Sequence, residues 1–341
     1  MKKPTIKDVA KLAGVSFKTV SRVINNEPVV SDEVKERVLK YIKSLNYKPN
    51  MPARLMRRAP FSIAFVYDNP NSHYVIEMQN GILAECRAQG FELVIHPTAS
   101  NSDMVGSELM TMIGSSQIGG IILTPPLSEN HDLVKYLVGF NAKVVRILSG
   151  AQAPDDLTPV VYVNDCKASE DITQYLIDLG HKRIAFVGGQ PDHESSKGRK
   201  AGYQAALRNN HIDVDNDFIL EGSFTFESGV ELTRKILARD DRPTAIVAAN
   251  DEIAAGTLFS ARMMGISVPG DLSITGFEDS PFSRQTWPKL TTVHQPNLKI
   301  AQCAAALLID SMLSTGAAET IQNGFELDIV VRDSTSPVKA N

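Results

Sequence analysis

Residues 6–25 read IKDVAKLAGVSFKTVSRVIN. Ala10 stands four residues before Gly14, and Val20 follows six residues after it. Val9, Leu12 and Ala13 fall on one helical face, and Val20, Val23 and Ile24 fall on another. Two short amphipathic helices joined by a glycine-containing turn make a helix-turn-helix, whose second helix enters the DNA major groove. The opposite face of that second helix carries Lys18, Ser21, Arg22 and Asn25, side chains that reach phosphates and base edges. The stretch predicts a reader of double-stranded DNA.

Charge distribution points the same way. The formal charge of −4 hides two opposite halves: residues 1–60 hold 14 Lys and Arg against 5 Asp and Glu, a net +9, while the remainder carries −13. A polyanion is attracted to the first segment and repelled by the rest. A merely solvated basic tail would not place apolar residues at helical spacing among those charges. At 341 residues, two or three domains are expected, and a 43% hydrophobic content suits a soluble globular protein. The start lacks the apolar run of a signal peptide and no stretch is long enough to span a bilayer, so a cytoplasmic protein without a membrane partner is expected. Cys86, Cys166 and Cys303 are far apart and odd in number, which predicts free thiols. No H-x-H or H-E-x-x-H spacing occurs, and neither a metal nor another cofactor is expected.

Ser31 is placed to cap a third helix, with Asp32 and Glu33 at the positive end of its dipole and Val34, Val38, Tyr41, Ile42 and Leu45 forming its apolar stripe. Residues 46–60, NYKPNMPARLMRRAP, change character. Asn50 is placed to cap a short helix, Pro52 is tolerated in its first turn, and Leu55–Met56 among arginines suits a minor-groove wedge. From residue 61, strands over 62–67, 92–97, 120–123 and 143–147 alternate with helices over 75–89, 104–113 and 132–139. A second set begins near 160, with helices over 168–179, 196–209, 226–237 and 252–264 and strands over 183–187, 218–220, 245–248 and 272–275. Such alternation gives parallel sheets covered by helices on both faces. Two units in series suggest two Rossmann-like subdomains with a cleft between their carboxyl strand ends. A helix over 298–313 and a strand over 325–331 join one or other sheet.

These residues resemble the LacI/GalR family of bacterial transcriptional regulators over almost the whole chain. The likeness rests on TIKDVAKLAGVSFKTVSRVIN (5–25), the hinge-like segment 47–56, GHKRIAFVGG (180–189), ANDEIAAG (249–256), GFED (276–279) and LTTVHQP (290–296). It implies an all-α helix-turn-helix head piece over 1–48, a hinge helix or linker over 49–60, and an α/β effector-binding and dimerisation core over 61–341, as in periplasmic sugar-binding proteins. The core would cross between subdomains near residues 160, 291 and 323, giving one subdomain of 61–160 and 292–322 and a second of 161–291 and 323–341.

The resemblance also assigns residues. Phe17, Lys18 and Arg22 would select bases, with Phe17 either touching a thymine methyl or packing inside the head piece. Thr5, Ser16, Thr19, Ser21, Asn25, Asn50 and Arg54 would complete the DNA-binding set, and Met56 takes the place of an intercalating leucine. In the core, Arg199, Glu278, Asn250 and Phe224 match effector-binding positions, joined by Asn69, Tyr74, Thr124 and Arg146 from the first subdomain. Arginine, carboxylate and amide groups beside an aromatic platform suit a hydroxylated ligand. The rival reading makes Arg199–Glu278 a plain salt bridge and Phe224 a core residue. Glu278, one methylene longer than the usual aspartate, together with Arg146 hints at an acidic or unusual sugar.

The expected protein is therefore not an enzyme but a dimeric repressor of carbohydrate-utilisation genes, binding a pseudo-palindromic operator and a carbohydrate-like effector. A solute-binding protein for sugar uptake and an activator of the same family are the alternatives. No G-x-S-x-G or phosphate loop supports an enzyme. The tail after Val331 carries no heptads, so no C-terminal tetramerisation helix is expected.

Overall fold

The computed structural model of the protein describes residues 5–24, 30–45, 62–69, 71–115, 118–150, 155–314 and 322–339. The chain separates into two compact units, Met1–Pro60 and Phe61–Asn341.

In the first unit, helices α1 (Ile6–Ala13), α2 (Phe17–Ile24) and α3 (Asp32–Ser44) close around Val9, Ala10, Ala13, Val20, Val23 and Val38. Thr5 starts α1: its backbone N–H and its hydroxyl both donate to Asp8 Oδ2 at 2.7 Å. Gly14 ends that helix in the left-handed region (φ 65°), where its N–H closes on the Ala10 carbonyl. Only glycine enters that region without a Cβ penalty. Leu12, expected on the buried face, is 51% exposed. At about 100° per residue the stripe of Val9, Ala10 and Ala13 is centred away from it.

The second unit begins with a six-stranded, wholly parallel sheet. Its members are β1 (Ser62–Tyr67), β2 (Glu92–Pro97), β3 (Ile118–Leu123), β4 (Val144–Gly150), β5 (Val160–Asn164) and β11 (Gln322–Phe325), ordered β11-β5-β4-β3-β1-β2. The period of two decides its layers. Ile63 and Phe65 of β1 face α4 (Ser72–Gln89) and α12 (Asn297–Leu313), while Ala64 and Val66 face α5 (Val105–Ser115) and α6 (His131–Gly139). A second parallel sheet has β6 (Ile184–Val187), β7 (Ile219–Leu220), β8 (Ala245–Ala248) and β9 (Ser273–Thr275) in the order β7-β6-β8-β9. Around it lie α7 (Asp165–Asp178), α8 (Glu194–Asn209), α9 (Phe226–Leu237), α10 (Asp251–Met263) and the short α11 (Pro281–Gln285). Helices α7 and α8 meet at Gly202, where a Cβ would stand 2.0 Å from the Cys166 carbonyl oxygen, so no larger residue fits. Strands β10 (Thr292–His294) and β12 (Asp328–Val330) pair antiparallel.

Three expected boundaries are corrected. The strand at 160 belongs to the first sheet, paired with β4 and β11, so the first crossing falls at Asn164–Asp165. The stretch expected as one strand over 325–331 is two strands, β11 and β12, on different sheets, which moves the third crossing from 323 to about 326. Val293 packs in the second subdomain and Ile300 in the first, so the second crossing lies near 295 rather than 291. The subdomain limits 61–160, 161–291, 292–322 and 323–341 shift accordingly. Buried apolar strands look alike in sequence whichever sheet receives them.

Candidate effector cleft and DNA-reading helix

The cleft forms where strands end. Asn69 and Asn71 follow β1, Pro125 follows β3, and Ser149 closes β4; from the other side, Gln190 and His193 follow β6, Phe224 follows β7, Asn250 follows β8 and Glu278 follows β9. Parallel sheets put their carboxyl ends, and hence their binding loops, on one side. The enclosed space is about 50 Å³.

Arg199, on α8, is its centre. Its Nε donates to Asp165 Oδ1 and its Nη1 to the Ala249 carbonyl, both at 2.6 Å, and its guanidinium lies 3.9 Å over the Phe277 ring. Asp165 is fully buried and also accepts the Gly150 N–H at 3.0 Å, so one carboxylate joins β4 to Arg199 at the first crossing. Glu278 faces Arg199 at 3.9 Å and accepts from Asn71 Nδ2, across the cleft, at 3.1 Å. Burial outweighs Arg199 and pushes the Glu278 carboxyl up to about 8. Glu278 and Asp279 both sit at positive φ, 102° and 58°. That backbone is strained for side chains with a Cβ, and it persists because its surroundings over-determine it. The Glu278 N–H donates to the Val293 carbonyl at 2.9 Å, while Asp279 accepts from Arg332 Nη2 at 2.5 Å and Ser283 Oγ at 3.0 Å.

Asn250 caps α10 through Oδ1 and donates from Nδ2 to the Phe224 carbonyl at 3.3 Å. The Phe224 ring lies against Gly189, where a Cβ would come within 2.4 Å of it, and 6.0 Å from the His193 ring. Burial holds the Tyr74 phenol above and the His193 imidazole below their usual ranges, so both are neutral hydrogen-bonding groups. A second link spans the cleft where Glu129 Oε2 accepts the Glu194 N–H at 3.4 Å, at the start of α8.

Of the expected effector residues, Asn69, Tyr74, Arg199, Phe224, Asn250 and Glu278 line this cleft. Arg146 does not. It is buried on β4, three residues from Ser149 and hence on the opposite sheet face, donating to Thr158 Oγ1 at 2.8 Å and pairing through both terminal nitrogens with Asp155. Thr124 is also displaced: it is fully buried at the end of β3, and the next residue, Pro125, is the one in the lining. Asn71, Ser149, Gln190, His193, Ser195 and Gln295 also line the cleft, and the motifs do not single them out. The rule that pointed to Phe224, a place just beyond a strand end, reaches most of them too.

In the head unit, Phe17 opens α2 and is 61% exposed, so it is not packed inside. Lys18 is exposed, and Thr19 and Arg22 are half-buried. Ser16 caps α2, its Oγ accepting the Thr19 N–H at 3.1 Å, and Thr5 is engaged with Asp8 as described. The side chain of Ser21, as well as Asn25, Asn50, Arg54, Met56 and the hinge segment 49–60, lies outside the described residues.

Comparison with known proteins agrees with both halves. Residues 5–50 match the bacterial regulatory proteins of the lacI family, and residues 173–335 match the periplasmic binding protein-like domain. The HTH-type transcriptional repressor PurR of Mannheimia succiniciproducens is 32% identical over 98% of this chain and 99% of its own. Catabolite control protein A of Priestia megaterium is 33% identical, covering 90% of this chain and 92% of its own. The transcriptional regulator CelR in complex with cellobiose superposes with a TM-score of 0.73 at 28% identity, over 97% of this chain and 99% of that one. A helix-turn-helix unit followed by a two-subdomain, periplasmic-binding-protein-like core, with such relatives along its whole length, makes this chain a member of the LacI family.

Proposed function

We propose that this protein represses carbohydrate-utilisation genes, and that a small sugar-like effector in the cleft sets its grip on a pseudo-palindromic operator. One observation carries the reading: hydrogen-bonding groups from both subdomains meet an aromatic wall in one cleft at the carboxyl ends of the two sheets. Asp165 compensates the charge of Arg199, and burial pushes the Glu278 carboxyl towards its neutral form. That balance favours an uncharged polyhydroxylated ligand. It also removes the hint of an acidic sugar, since Arg146 is spent on Asp155.

A space of about 50 Å³ is well below the roughly 300–1,000 Å³ of ligand pockets, so binding is expected to part the Asn71–Glu278 and Glu129–Glu194 links and to change the subdomain angle. A ligand shifts this equilibrium only through its differential affinity for the two angles, typically about 1–3 kcal/mol. In the head unit, Lys18 and Arg22 lie at i and i+4 on α2, where Arg22 meets a guanine edge and Phe17 offers an apolar edge. Phe259 and Met263 on α10 and Trp287 in the loop after α11 are exposed apolar side chains, the last two more than 70% exposed, of the kind that suits a homodimer. The ligand is expected back unchanged after prolonged incubation, as for a binding site rather than an enzyme.

The test is a fluorescence-anisotropy titration on operators selected from a randomised palindromic library. Arg22→Ala is expected to cost about 1–3 kcal/mol on the selected site. Lys18→Ala, if its partner is a phosphate, is expected to lower the salt slope by about one. Equal affinity of native protein for selected and random duplex, with and without a panel of neutral sugars, overturns the proposal.

A further inference from the structure

The second subdomain has another concavity, of about 350 Å³, at the pole opposite the cleft, where β6, β8 and β9 begin. Its walls are the segments leading into those strands, closed on one side by Pro337–Val338–Lys339. Lys182, Arg183, Arg242 and Lys339 line it against a single acid, Asp271. In a core with a net charge of −13, this is a local reversal of sign. Asp271 is occupied by Lys339 Nζ at 2.7 Å and by the Ser267 N–H at 3.2 Å. Asp241, next to Arg242, is held by Arg239 through bonds of 2.8 and 3.0 Å. Arg183 Nε donates to the Arg242 carbonyl at 3.3 Å, which draws the two basic segments together. Among the described residues, Lys182, Arg183 and Arg242 enter no salt bridge within 4.0 Å.

The floor is rigid. His181 is buried and bonds Thr244 Oγ1 and the Ser336 carbonyl at 3.0 Å each, while the Val338 N–H donates to the Leu179 carbonyl at 3.0 Å. Three cations outside any close ion pair share the wall of one concavity; Asp241 and Asp271, which act on Arg183 and Arg242 through space, are themselves bonded to Arg239 and Lys339. Guanidinium forks match phosphate oxygens in pairs, and an ammonium supplies a third point charge.

We propose that this pole is a second ligand site, independent of the cleft, for a small molecule carrying phosphoryl groups. Its test uses the full-length chain and isothermal titration calorimetry with inorganic phosphate and pyrophosphate at constant ionic strength. The head unit also attracts phosphate, so two double variants separate the locations: Lys182→Ala with Arg242→Ala at the pole, and Lys18→Ala with Arg22→Ala in the head. All four side chains are exposed or half-buried, and thermal melts without ligand check that each variant folds. Pyrophosphate is expected to bind saturably, at one site per chain beyond any head contribution, and at least ten-fold more tightly than phosphate. The pole variant should weaken it at least ten-fold while operator affinity and stabilisation by neutral sugars stay unchanged. The head variant should retain the site. Lys182→Glu alone should reproduce the pole effect. Absence of saturable pyrophosphate binding, equal binding in the pole variant, or loss only in the head variant overturns the proposal.

Discussion

Arg199 on α8 and Arg146 on β4 are both buried, 4% and 0% exposed, and each faces an aspartate. They differ in what is left over. Arg146 has all three nitrogens occupied, by Thr158 and Asp155, and so ties β4 to residues 155–158. Arg199 has Nε and Nη1 occupied, keeps a face on Phe277, and borders the cleft opposite Glu278. On the proposed function, the arginine at the binding site is the one with part of its guanidinium held in place and the rest bordering a space.

The largest effect that would test this contrast is Asp155→Ala. Removing one partner of a buried ion pair costs about 3–5 kcal/mol, and the partial exposure of Asp155 puts the expected loss near the lower end. Urea denaturation should show it, while affinity for any sugar found by thermal-shift screening should stay within twofold. A large loss of sugar affinity would erase the distinction between the two arginines.

Arg199→Ala should do the converse to ligand binding. Hydrogen bonds to a charged group are worth about 1.5–3 kcal/mol, so sugar affinity should fall roughly 10- to 100-fold. Some stability should go too, because Asp165 is left buried without its cation. Arg199→Lys keeps the charge but not the fork, and calorimetry should place it between the two.

The last test is a pH dependence. Burial raises Glu278 to about 8 and Asp251 to about 7, although Thr292 and Ser280 donate to the latter. The native state therefore holds protons that the unfolded chain releases above its ordinary carboxylate range. Their contribution is fully present below about pH 4.5 and is lost as pH rises towards 8. Melting temperature should decline across that window, and Glu278→Gln should flatten its upper part. An identical slope in the variant would mean that Glu278 ionises normally and that the cleft carries a net negative charge.

Much of this was legible in residue order. In the head, the spacing of Val9, Ala13, Val20 and Val23 predicts two helices and their shared core, because helical periodicity is local. Leu12 escaped that reading, since a stripe has a centre that only packing reveals. In the cleft, Glu278, Asn250 and Phe224 follow from motif likeness and from their places near strand ends, and Arg199, inside α8, from motif likeness alone. Arg146 and Thr124 satisfied similar cues but lie out of the cleft. Sequence does not record which face of β4 meets the second subdomain, nor that Asp155 returns to neutralise Arg146.

The order of amino acids alone determined the basic helical head, the alternating strands and helices of the core, and the kinds of side chain available for binding, all of which depend on neighbours a few positions apart. Only the folded chain decided that β5 and β11 join the first sheet, that Asn71 meets Glu278, and that Lys182, Arg242 and Lys339 converge on one pole. Those pairings join residues up to some two hundred positions apart, and packing of the two sheets, not local preference, sets their distances.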